Sequence, residues 1–78
     1  MITKKKLNNF LYNAVEIEDI YGKIEKGWFA KQYNDYALFP FDDIWHISIY
    51  KVGCIKRIKF LTNGFEIKRR INYESICN

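Results

Sequence analysis

The sequence predicts an α+β fold, with one or two N-terminal helices packed on a three- to four-stranded antiparallel β-meander, and three observations lead there. Asn63-Gly64 stands between two runs rich in Ile and Phe, and this dipeptide supplies the two positive-φ positions of a type I′ hairpin turn. Residues 44 to 51 alternate apolar and polar side chains as a half-buried strand does. Leu7, Phe10, Leu11 and Ala14 recur at i, i+3, i+4 and i+7, the stripe of an amphipathic helix. With 78 residues, 49% hydrophobic and 18% aromatic, the expectation is one small domain spanning residues 1 to 78, its core built from rings and isoleucine.

The first helix is expected over about residues 4 to 14, with Thr3 as its cap. Lys4, Lys5 and Lys6 fall in its first turn, where the helix dipole disfavours positive charge, so they read as a solvated start or as an anion-contacting arm. From Val15 the pattern is ambiguous. Val15 to Glu18 alternates like a strand, while Ile17, Ile20, Tyr21, Ile24 and Trp28 repeat like a second helix, which is the reading preferred here. Gly22 and Gly27 weaken that helix, and if either ends it early, residues 28 to 33 become a first strand. Asn34-Asp35 marks a turn, residues 36 to 39 a short strand stopped by Pro40, and Asp42-Asp43 another turn.

The strand over 44 to 51 sets Trp45, Ile47 and Ile49 on one face and His46, Ser48 and Tyr50 on the other. Val52-Gly53-Cys54 then turns the chain into the hairpin of residues 55 to 71. A two-residue loop at Asn63-Gly64 fixes the expected register: Thr62 with Phe65, Phe60 with Ile67 and Ile58 with Arg69 on the core face. Leu61 with Glu66, Lys59 with Lys68 and Arg57 with Arg70 lie on the opposite face. Tyr73 and Ile76 in the tail could pack as a last turn or strand end.

Charge is segregated along the chain. Residues 7 to 43 carry three cations and seven anions, and residues 44 to 78 carry seven cations and two anions, although the whole chain is only +4. The apolar runs are too short to span a bilayer, no apolar leader follows the first lysines, and Cys54 and Cys77 lack metal or redox spacing; free thiols are therefore expected, with a Cys54–Cys77 disulfide as the alternative, and so is a cytoplasmic location. The wealth of Ile, Lys and Asn over Arg and Ala suggests AT-rich codons, as in a low-GC bacterium or its phages and plasmids.

Nothing in the sequence spells catalysis. Asp42-Asp43-x-x-His46 matches no metal-ligand or acid-base spacing, and no phosphate-binding glycine loop or nucleophile elbow accompanies it, so no enzyme, metal or cofactor is expected. The strongest functional hint is the basic hairpin face. Like charges opposed across a ladder cost up to about 1 kcal/mol per pair, and an anion would relieve the repulsion among Arg57, Lys59, Lys68 and Arg70, with His46, Ser48 and Tyr50 adding hydrogen bonds from a neighbouring strand. The expected partner is then nucleic acid or a nucleic-acid-processing complex. The alternative is a phage- or plasmid-type protein inhibitor, anti-defence or anti-CRISPR-like in its size and lack of motifs, docking on a host protein with Tyr33 and Tyr36 as contact candidates.

Overall fold

The computed structural model describes residues 1–43 and 45–69. Its elements are helix α1 (Lys4–Asn8) and strands β1 (Ala14–Asp19), β2 (Ile24–Gln32), β3 (Asp35–Pro40), β4 (Ser48–Tyr50), β5 (Ile55–Phe60) and β6 (Glu66–Lys68), with a 3-10 turn, Val52–Cys54, before β5. All strands belong to one antiparallel sheet in the order β4-β3-β2-β1-β5-β6. The expected helices on a three- to four-stranded meander are thereby corrected. Among the described residues one short helix remains, and the sheet has six strands.

The second helix fails because its residues alternate. Val15 and Ile17 point inward and are fully buried, while Glu16 and Glu18 point outward, and Tyr21, Ile24 and Trp28 of the supposed helical stripe are exposed. Gly27 shows why β2 must lie against β3. A Cβ there would stand 2.2 Å from the Phe39 carbonyl oxygen, so only glycine admits this approach. Between β1 and β2 the chain reverses at Gly22, whose φ is +89°, and the Asp19 carboxylate accepts the Tyr21 and Lys23 amides, each at 2.9 Å.

The first helix is shorter than the periodicity predicts. Thr3 caps it, its hydroxyl accepting from the Lys6 amide at 3.2 Å, and Leu7 and Phe10 are buried as their spacing requires. The sheet then captures the chain. Tyr12 takes a left-handed φ of 66°, its amide donates to the Phe29 carbonyl at 2.6 Å, and the Phe29 amide donates to the Asn13 carbonyl at 3.0 Å.

The core lies between α1 and the inner face of the sheet, where Val15, Ile17, Phe29, Tyr36, Leu38, Tyr50, Ile55 and Ile58 meet Leu7 and Phe10. Phe29 stacks on Tyr36 at 5.0 Å and Phe10 on Phe60 at 4.1 Å. The Tyr36 hydroxyl donates to Asn8 Oδ1 at 2.8 Å, which ties α1 to β3. Two strands that are not neighbours are also joined. Glu25 of β2 accepts from the Ser48 hydroxyl of β4 at 3.0 Å and from the Tyr50 hydroxyl, so the sheet curls around its inner face.

The hairpin register is a second correction. Arg57 pairs with Lys68, Ile58 with Ile67 and Lys59 with Glu66, and Phe60 donates its amide to the Phe65 carbonyl. The loop is four residues, 61 to 64, closed by the Gly64 amide on the Phe60 carbonyl at 3.0 Å; Gly64 has a positive φ and Asn63 does not, so no type I′ turn forms. Each face keeps its residues while every partner slides by two.

In β5 a bulge opposite Glu18 and Asp19 inserts Lys56 as the extra residue. That is how Ile55 and Ile58, three apart in a strand, are both buried. Arg69 fastens β6 over the 3-10 turn, donating to the carbonyls of Ile55 at 3.1 Å and Val52 at 2.5 Å. Cys54 is buried and disulfide-bonded, which corrects the free thiol expected there, while Cys77 and the tail from residue 70 lie outside the described residues. No helix among the described residues is long and apolar enough to cross a membrane.

Candidate protein-docking interface

The outer face of the sheet has two halves of different chemistry, and the register lays them side by side. Over β1, β5 and β6 it is ionic. Glu66, Lys59, Glu16 and Lys26 form one row across four strands, and Lys68, Arg57, Glu18 and Ile24 form the next. Arg57 sits at the centre, its guanidinium 2.7 Å from Glu16, 3.1 Å from Glu18 and 3.6 Å from Glu66. Its hydrogen bonds hold the Glu16 and Glu18 carboxyls below the ordinary carboxylate range, with the nearby lysines adding to the effect, and Arg57 itself is held still more firmly charged. Lysines surround this cluster, Lys26 and Lys59 at 3.8 and 3.7 Å from Glu16 and Lys56 at 3.5 Å from Glu18.

The like-charge pair expected between Lys59 and Lys68 therefore does not form: Lys59 faces Glu66, and Arg57, which does face Lys68, is balanced by Glu16 and Glu18. Glutamates from β1 and β6 interleave with the cations, a pairing that needs a strand 40 residues earlier in the sequence to lie next to β5 (Glu18 opposite Arg57, Glu16 opposite Lys59). Of the residues predicted for an anion site, Arg57, Lys59 and Lys68 do share this face, and Arg70 lies outside the described residues. His46 and Tyr50 do not join them. The strand order puts β4 at the opposite edge, with β3, β2 and β1 in between.

There, Tyr50 is buried with its hydroxyl on Glu25, and burial first and that carboxylate second push its ionisation far above the ordinary range. His46 is exposed and pairs with Asp43 at the start of the loop, where its ring holds the Asp43 carboxyl low. Among the described residues no cluster of three or more metal-ligating side chains forms.

Over β2, β3 and β4 the outer face is apolar. Trp28 opposes Phe39, Ala30 opposes Ala37, and Ala37 opposes Ile49. Trp28 is 53% exposed, Phe39 40%, Phe41 47% and Ile49 53%. Phe41 meets Trp28 edge-on at 5.6 Å, and Ala30 opposes Ala37 next to the Trp28–Phe39 pair. Ile47 and Trp45 continue the exposed apolar surface into the loop before β4. Among the described residues, β4 pairs only with β3, so its outer edge is unpaired as well.

The two tyrosines proposed as protein contacts part company. Tyr33 is 89% exposed at the β2–β3 turn, in a left-handed conformation (φ 53°) that a bulky side chain seldom takes. Tyr36 is fully buried in the core and presents nothing to a partner. Sequence reasoning missed Trp28, Phe39 and Ile49 as surface groups, since large apolar residues in a small domain default to the core. The signal that could have found them is their parity: each lies an odd number of positions from a buried neighbour in its strand, with Phe29, Leu38 and Tyr50 adjacent. No protein family, curated protein or solved structure matches the chain.

Proposed function

We propose that the chain is a non-enzymatic binding module of the inhibitor or adaptor kind, which docks on a partner protein through the outer face of β2, β3 and β4. One observation carries this reading: Trp28, Phe39, Phe41 and Ile49 form a contiguous exposed patch on regular strands, a placement that contributes little to folding and much to contact energy. Aromatic anchors on rigid strands are the usual centre of a protein interface. The nucleic-acid reading has less support, since Glu16, Glu18 and Glu66 form a carboxylate layer beneath the cations and Asp35, Asp42 and Asp43 stand at the ends of β3.

The test compares the wild-type chain with Trp28→Thr/Phe39→Thr as baits in extracts of the source cell, with and without nuclease. Threonine suits a strand, so the variant should keep its circular dichroism spectrum and thermal transition. Loss of two central anchors should weaken capture of a protein partner by roughly a hundredfold or more, unaffected by nuclease. Capture that survives the substitutions, or that nuclease abolishes, would end the proposal.

A further inference from the structure

We infer that the partner surface fitting this face is apolar at its centre and acidic along one flank, the flank that lies over β1, β5 and β6. This rests on the docking reading above and adds the partner's chemistry and orientation. The ionic half is layered. The side chains of Lys26, Lys56, Lys59 and Lys68 are 59%, 37%, 33% and 73% exposed, whereas those of Glu16, Glu18 and Glu66 are 13%, 21% and 32% exposed. Carboxylates therefore form the inner layer around Arg57 and lysine ammonium groups form the outer one, so an approaching surface meets positive charge although the pairs beneath are largely balanced.

Area leads to the same flank. Aromatic side chains offer about 150–250 Å² each, and at about half exposure the rings and isoleucines of the patch supply roughly 400–500 Å², well short of the ~800 Å² per partner of a standard interface. The remainder has to come from the adjoining surface, and the lysine layer is continuous with the patch through Lys26, two residues from Trp28 on the same face. The same arithmetic disfavours a second copy of this chain, because two patches meeting alone would bury roughly 800–1,000 Å² in total, short of the ~1,200–2,000 Å² of a stable interface. Aspartates stand at both ends of β3, Asp35 at its start and Asp42 and Asp43 just beyond it. A phosphate backbone following β3 would run into them; a protein with one acidic flank does not.

The experiment uses the full chain with Trp45→Phe, which leaves Trp28 as the only indole and its fluorescence as a direct report on the patch. The probes are two synthetic amphipathic peptides of identical leucine and phenylalanine content, one flanked by glutamates and the other by lysines, and a single-stranded oligothymidylate. The glutamate peptide should shift Trp28 emission to the blue and bind roughly tenfold more tightly than the lysine peptide at low salt, the size expected from two or three exposed charge pairs gained in one complex and lost in the other. Lys26→Gln/Lys68→Gln, with both residues on the surface, should narrow that ratio to about threefold or less while the thermal transition stays in place. Equal binding of the two peptides overturns the acidic flank and leaves the docking reading standing. Failure of both peptides to move Trp28 at millimolar concentration overturns both, and tighter binding of the oligonucleotide than of the glutamate peptide replaces them with nucleic acid.

Discussion

Gly27 has no room for a side chain, and the consequence is measurable. Its ideal Cβ would lie 2.2 Å from the Phe39 oxygen and 2.9 Å from the Pro40 Cα, all backbone, so β3 would have to move away. Gly27→Ala should cost about 3 kcal/mol in urea unfolding, at the upper end of overpacking effects, and should disturb the Trp28–Phe39 pair next to it. An unchanged midpoint would mean that β2 and β3 are not held this close. In the sequence Gly27 is legible only as a residue unfavourable to helix. That hint was correct, but its cause lies in Pro40 and Phe39, which local propensity does not contain. Tyr36 shows the same limit. Its alternation with Ala37 marks a strand, yet only the arrival of Asn8 and Phe29 decides that its ring is inside.

At the scale of elements, the hairpin β5–β6 and its neighbour β1 make one ionic unit, and acid should take it apart. The Glu16 carboxyl is held below its ordinary value of 4.5 chiefly by Arg57. A depressed folded-state value means that the contribution is present above about 4.5, where the unfolded chain would also be ionised, and is lost as pH falls through the lower folded value. Glu16→Gln should therefore lower the urea midpoint at pH 7, and the gap to wild type should close as the pH is taken down from 5 to 2. A gap that is constant with pH would show that the glutamate acts by shape and not by charge. The faces of this hairpin were legible in the sequence, and its register was not. Loops of two and four residues both preserve the inward and outward alternation, so the pattern of Ile58, Phe60 and Ile67 fits either one. The glutamates that neutralise Arg57 come from β1, where nothing local announces them.

For the whole molecule the decisive pairing is β1 with β5, Val15 opposite Phe60 and Ile17 opposite Ile58, which closes most of the chain into one loop. The strand near 36 to 39, the first hairpin strand, their antiparallel sense and a buried N-terminal helical turn could be read beforehand, whereas the strand expected over 44 to 51 is confined to Ser48–Tyr50. The strand order could not, because it depends on which edge β5 chooses after the 3-10 turn, and that is a competition among distant surfaces. Such closure is slow. Folding should occur in about milliseconds to seconds, and Ile17→Val and Ile58→Val should show matched effects on the folding rate, since they report the same pairing. Microsecond relaxation, or rates affected by one substitution and not by the other, would place the β1–β5 contact outside the rate-limiting step.

The Glu25 bonds to Ser48 and Tyr50 hold the first residues of β2 to the far strand β4, and the exposed apolar patch proposed for docking lies on the other side of those same strands. Its rings therefore stand on backbone that is already in place before any partner arrives. Little ordering entropy is left for this chain to lose on association, so a partner that is itself folded should bind with a heat-capacity decrease set by apolar area alone, and one that is disordered should carry nearly all of the folding signature. On the proposed docking, the encounter with a partner should wait on diffusion and on the lysine layer, not on a rearrangement of the sheet.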